Sequence, residues 1–141
     1  MSWRLDHIDV VSYDVRRSAE FYSAIFGMRE HRFPVAPGGE ELFSTGPESL
    51  ANFPEEGDGG RLGLHVAAPD TSIAKRLGWW MDPIVRGHFA LTVDDIFAVK
   101  RNLDARGIDY LDMGEWAAAG RYQIYVYDPS KNIIEVNQTI A

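Results

Sequence analysis

The sequence predicts an α+β chain made of two copies of one βαβββ module. Three observations predict it. Two stretches with apolar residues at helical spacing are each preceded by a short β-branched run that carries a histidine. Each helix is followed by short strand-like runs separated by turn residues. The landmarks of the first half then return in the second half at the same intervals.

Leu5 to Val11 reads as the first strand, with Ile8 and Val10 alternating against His7 and Asp9. Asp14 stands where a helix N-cap belongs, because its short carboxylate accepts from an amide that the first turn leaves unpaired. Val15 to Phe26 has apolar residues at Val15, Ala19, Tyr22 and Phe26, widened by Phe21 and Ile25, and Gly27 supplies the stop. Residues 29–34 and 40–46 read as two short strands around Pro37-Gly38-Gly39. The stretch 46–60, rich in Gly, Pro and acidic residues, reads as a long loop or a broken strand. Leu62 to Ala67 is the next strand, and a connector over 69–86 contains Trp79-Trp80 and Pro83. The pattern then restarts. Gly87 to Val93 is a strand, Asp94 or Asp95 a cap, and Ile96 to Ala105 a helix with Ile96, Val99 and Leu103 on one face. Gly107 stops it. Residues 108–113, 121–127 and 132–138 are three more strands, the last preceded by an Asp128-Pro129-Ser130-Lys131-Asn132 turn.

The intervals make the duplication explicit. His7 to Asp14 is 7 residues, as is His88 to Asp95. His7 to Gly27 is 20 residues and His88 to Gly107 is 19. Asp58 to His65 is 7 residues, and so is Asp128 to Glu135. The first module therefore spans 1–68 and the second 87–141, within one structural domain, 1–141. Halves that cannot each bury their own sheet face pair around a shared core.

Composition bounds the function. A chain of 141 residues buries roughly 70% of its unfolded surface, so it needs no staple to fold. The absence of cysteine excludes disulfides, thiolate nucleophiles and Cys-based metal centres, and is compatible with a reducing cytosol. Asp+Glu 21 against Lys+Arg 14 gives a net charge of -7, with the basic residues scattered. That argues against nucleic acid or an anionic membrane as a partner. Arg4, Asp6 and Asp9 interrupt any signal-like apolar start, and no run of about 18 apolar residues could span a bilayer. The expectation is a soluble cytoplasmic protein.

Strand alternation puts His7 with Asp9, His88 with Ala90 and Thr92, and Glu135 with Ile133 and Asn137 on faces turned away from the helix-packed core. His65 lies opposite Leu64 and Val66 in the same way. If the sheets curve around a common cleft, His7, His88 and Glu135 point into it. Two neutral imidazoles and a carboxylate suit Fe(II), Mn(II), Ni(II) or Zn(II) and leave positions open for an oxygen ligand. On spacing alone each has a plainer reading: a hydrogen-bonded structural histidine, or a solvent-facing glutamate. Asp9 reads as an exposed strand residue or as a partner to a ligand. Trp79-Trp80 reads as core or as a pocket or subunit wall.

Three stretches, LDHIDVVSYDVRRSAEFYSAIFGM at 5–28, GHFALTVDDIFAVKRNLDARGI at 87–108 and YQIYVYDPSKNIIEVNQ at 122–138, resemble the vicinal oxygen chelate superfamily. This superfamily groups glyoxalase I, extradiol dioxygenases, fosfomycin-resistance proteins and bleomycin-resistance proteins. The specific parts are the His-strand followed by a D-x3-S-x2-FY helix, and the DPxxNxIE closing strand. The resemblance implies a cupped, incomplete barrel of two βαβββ modules, usually in a homodimer. It matches His7, His88 and Glu135 to the family's metal ligands, and implies one divalent metal ion (Fe, Mn, Ni or Zn). His65 falls where glyoxalase I enzymes carry a Glu ligand, so it is either a fourth ligand or a hydrogen-bonding partner of substrate.

The implied activity is that of a metal-dependent enzyme on a small oxygen-chelating substrate. The favoured chemistry is lyase- or isomerase-type proton transfer beside a carbonyl, with Glu135 as base. A dioxygenase is a competing reading, although most extradiol enzymes resemble two such domains in tandem. The competing class is a metal-free module that sequesters a drug, stacking it on Trp79, Trp80, Trp116 and the tyrosines.

Overall fold

Strand β1 (His7–Val11) is the first element in the computed structural model, which describes residues 2, 7–33, 46–56, 63–69, 88–115 and 120–140. Helix α1 (Val15–Phe26), β2 (Leu50–Pro54) and β3 (Gly63–Ala67) complete the first half. The second half runs β4 (His88–Thr92), α2 (Ile96–Ala105), β5 (Tyr110–Glu115), β6 (Arg121–Tyr127) and β7 (Ile133–Thr139).

Both helices occupy the residues that their spacing predicts, and their caps explain why. Asp14 accepts from the Arg17 amide at 3.1 Å, and Gly27 closes α1 in the left-handed region at φ 69° while its amide bonds Ser23 O. At α2 the cap is Asp95 rather than Asp94, accepting from Ala98 N at 2.9 Å. Beyond left-handed Gly107, the Ile108 amide still bonds Leu103 O at 3.0 Å. Residue 108 therefore belongs to the helix closure, and β5 starts at Tyr110, two residues later than its composition predicts.

The strands form two open sheets, ordered β1-β3-β2 and β4-β7-β6-β5. In each, the first strand of the half lies parallel to its last strand, and the remaining pairs are antiparallel. An isolated antiparallel bridge, His31 to Asn52, holds in the first sheet the place that β5 holds in the second. This bridge is what the described residues retain of the strand predicted at 29–34. The strand predicted at 40–46 falls outside the described residues up to residue 45, as does the connector from residue 70 to 86. Of the two readings of 46–60, the strand holds and the long loop does not: β2 lies inside it, with Leu50, Ala51, Asn52 and Phe53 all buried. Pro54 ends that strand, as a residue without an amide donor does at the end of a ladder.

Alternation sends Val10, Leu64 and Val66 of the first sheet and Ile124, Val126, Ile134 and Val136 of the second into one core with Tyr22, Ile25, Ile96, Val99 and Leu103. Each such burial contributes roughly 1.5–3 kcal/mol. Asn102 Nδ2 ties the helices by bonding Ile25 O at 3.1 Å. A second tie is the turn before β7. Asp128, 1% exposed, accepts from Tyr22 Oη at 3.0 Å, from the amides of Ser130 and Asn132 at 2.9 Å, and from Asn132 Nδ2 at 2.7 Å. Asn132 Nδ2 also bonds Val11 O at 2.9 Å, so the turn of the second half grips β1 and α1 of the first. Among the described residues no helix is long and apolar enough to cross a membrane.

Candidate functional site

The same alternation that buries Leu64 and Val66 turns His65 to the opposite face of the first sheet. Parallel pairing sets Asp9 opposite His65 and His7 opposite Gly63, so His7, Asp9 and His65 share that face. The imidazoles of His7 and His65 lie with centroids 4.4 Å apart and planes 25° from parallel. Phe33 meets His65 edge-on at 5.4 Å. Although Asp9 is an exposed residue, its carboxyl sits above the ordinary carboxylate range. Loss of surrounding water raises it, and attraction to His65 and then His7 offsets part of the rise.

The second sheet repeats this register. Glu135 lies opposite Ala90, two residues after His88, as His65 lies opposite Asp9, two residues after His7. The backbone of His88 pairs with Ile133; its side chain is not among those described. Glu135 is half-buried, and its Oε1 accepts from Gln123 Nε2 and Asn137 Nδ2, both at 2.9 Å. Tyr125 Oη reaches Oε2 at 3.4 Å. The Tyr125 hydroxyl is pushed above its ordinary range, first by desolvation and then by the Glu135 charge, so it stays a donor at neutral pH. Asn137 is itself held, its Oδ1 accepting from Thr92 Oγ1 at 2.8 Å and Arg121 Nη1 at 2.9 Å. The carboxylate is thus fixed from behind by two amides, each positioned by the strand that carries it.

The structure brings His7 and His65 together and seats Glu135 at the matching place in the other sheet. Among the described residues no three His, Asp or Glu side chains form a group that would hold a metal ion. Sequence reasoning put Asn137 on the Glu135 face without a role and missed Gln123, Tyr125 and Arg121. The signal was available: within the predicted strand 121–127, these three share one parity and Ile124 and Val126 the other. Trp79, Trp80 and Trp116 lie outside the described residues.

Residues 4–136 match the sequence profile of the Glyoxalase/Bleomycin resistance protein/Dioxygenase superfamily. The chain belongs to this superfamily. No curated protein matches the sequence. Among solved structures, the chain is similar to a Bacillus anthracis protein assigned to the glyoxalase family, at 24% identity and a TM-score of 0.69, covering 99% of this chain and 97% of that one. It is similar to a lactoylglutathione lyase from Agrobacterium tumefaciens, at 22% identity and a TM-score of 0.64 over 96% and 92% of the two chains. It is similar, too, to an antibiotic binding protein from Streptomyces, at 18% identity and a TM-score of 0.63 over 98% and 97%. At these identities the likeness establishes the fold: an α+β glyoxalase fold with two modules and open sheets.

The donor chemistry of this superfamily member fits a divalent metal. Imidazole and carboxylate are the ligand types that such ions take, and hydrogen bonds from neighbouring side chains commonly orient ligating groups. Glu135 has that support from Gln123 and Asn137.

Proposed function

We propose that this protein is a metal-dependent enzyme that moves a proton beside a carbonyl of a small, oxygen-chelating substrate. In this reading His7, His88 and Glu135 hold the ion, His65 is a fourth ligand, and Glu135 becomes the base by leaving the ion transiently. The observation that carries the reading is the pinned Glu135 carboxylate, in the register position that His65 takes in the first sheet.

A divalent ion held by His7, His88, Glu135 and His65 would supply Lewis acidity at a substrate oxygen. The protein's own part is to present a carboxylate with a fixed plane. Gln123 and Asn137 each donate one bond to Oε1, which fixes the plane in which the carboxylate lies. Tyr125 Oη lies at the edge of hydrogen-bonding distance from Oε2, at 3.4 Å, and adds a weak contact to that oxygen.

A second reading is supported by the ring stack of His7 and His65, edged by Phe33. It offers a flat wall on which a drug would be sequestered without turnover. Proton exchange separates the two. Small carbonyl compounds incubated with the protein in D2O will exchange the hydrogen beside the carbonyl. Glu135→Gln will slow this exchange by at least 10²-fold, the usual contribution of a general base. Binding of these compounds with no exchange above the uncatalysed rate would favour sequestration.

A further inference from the structure

Gln123 is 5% exposed, and its side-chain oxygen is buried with no hydrogen-bond partner among the described residues. Chemistry fixes which end of the amide this is. Nε2 donates to Glu135 Oε1 at 2.9 Å, and the flipped amide would set two oxygens against each other. Oε1 of Gln123 is therefore an acceptor, and leaving a buried acceptor unpaired is costly, so it calls for an explanation.

A second feature lies two residues earlier on the same face of β6. Arg121 is exposed, donates Nη1 to Asn137 Oδ1 at 2.9 Å, and is in no ion pair among the described residues. Among the described residues Arg121 has no carboxylate partner of its own and reaches the Glu135 network through Asn137. The bond to Asn137 orients its plane, and a fixed guanidinium plane suits a carboxylate. One network joins all four groups: Arg121 to Asn137, Asn137 to Glu135, and Gln123 to Glu135.

We propose that Gln123 and Arg121 form the recognition edge of the site, and that its substrates are small hydroxy-carboxylates. The substrate hydroxyl donates to Gln123 Oε1, and its carboxylate pairs with Arg121. The assignment rests on reading Glu135 as the reacting residue, but it concerns binding and is measured without turnover.

The probes are glycolate, methoxyacetate, which caps the hydroxyl, and glycolamide, which removes the charge. Each is titrated into the wild type, Gln123→Leu and Arg121→Gln, with amide chemical shifts as the readout and metal content measured in parallel. The wild type will bind glycolate about tenfold or more tightly than methoxyacetate, the order expected when a buried acceptor loses its donor. Gln123→Leu will collapse this ratio and leave the glycolate-to-glycolamide ratio intact. Arg121→Gln will do the reverse. Should Gln123→Leu fail to fold, Gln123→Met makes the same test with an unbranched chain. Ratios unmoved by either substitution, as when Gln123 only holds a resident water, would overturn the proposal, and so would failure of the wild type to bind glycolate. If the ratios shift as stated in a protein that holds no metal, the metal-enzyme reading fails and this assignment stands.

Discussion

Removing the Tyr22 hydroxyl tests how the two halves are joined. Asp128 is a buried carboxylate with four donors, one of which, Tyr22 Oη at 3.0 Å, comes from the other module. Burial, and then the Asp128 charge, push the Tyr22 hydroxyl far above its ordinary range, so it stays protonated and donating throughout the accessible pH. Tyr22→Phe deletes that donor without opening a large cavity. A hydrogen bond to a charged group contributes about 1.5–3 kcal/mol, and that is the predicted loss. Asp128→Ala goes further, stranding the hydroxyl, two backbone amides and part of the Asn132 amide. Its loss should reach about 3–5 kcal/mol, because each buried donor left unpaired costs about 1–3 kcal/mol and several are stranded together. For a chain of this size that lowers Tm by roughly 10–20 °C. Urea unfolding of the two single variants and the double variant measures both losses and their coupling. If Asp128→Ala unfolds within about 0.5 kcal/mol of the wild type, the turn does not hold the halves together and the reasoning fails.

Two further predictions concern the second half. Asp95→Ala removes the side chain that caps α2 through Ala98 N and should cost about 1 kcal/mol in urea unfolding, with faster amide exchange confined to the first turn. An unchanged midpoint would mean that α2 is set by packing alone. Asp112→Asn tests the surface cluster in which Lys100 Nζ bonds Asp112 at 2.6 Å and lies over the Phe97 and Tyr122 rings. The Lys100 bond, helped by Tyr122 and the Gly114 amide, holds the Asp112 carboxyl below its ordinary 3.8. A depressed carboxylate stabilises the fold above its unfolded value and loses that effect as pH falls through its folded value. The deficit of Asp112→Asn should therefore be present at pH 6, stay within about 1 kcal/mol because the pair is partly exposed, and fade below about pH 4. A deficit that grows on acidification would contradict the assignment.

Much of the fold is legible in the sequence, and the reason is local. Both helices carry their signals within a dozen residues: an Asp cap, an apolar stripe and a glycine stop, so their bounds match. The repeat is legible because its landmarks keep their intervals, 7 residues from His7 to Asp14 and from His88 to Asp95, and 7 from Asp58 to His65 and from Asp128 to Glu135; in the fold Asp9 pairs with His65 as Ala90 pairs with Glu135. Strand β2 is hidden because Leu50–Pro54 is short, carries a buried Asn52 and sits among Gly, Pro and acidic residues. Its strand character comes from pairing with β3, which is not a local property. The candidate site divides the same way. Its histidines and glutamate stand out by type and spacing, whereas the shell of Gln123, Tyr125, Asn137 and Arg121 emerges only when β6 and β7 are set side by side. Asp9, an exposed strand residue by sequence, has its carboxyl raised by desolvation and partly brought back by His65, 56 positions away across a parallel pair, and neither effect is local in sequence.

Elemental analysis of protein purified without added metal tests most directly the proposal that His7, His88 and Glu135 hold one divalent ion, with His65 as a fourth ligand. The wild type is compared with His7→Ala, Glu135→Gln and His65→Ala. The wild type should carry a stoichiometric, chelator-removable ion. His7→Ala and Glu135→Gln should each lose most of that metal, with a smaller loss in His65→Ala. Full occupancy in both His7→Ala and Glu135→Gln, or a wild type with no affinity for any of the four metals, would contradict the proposal.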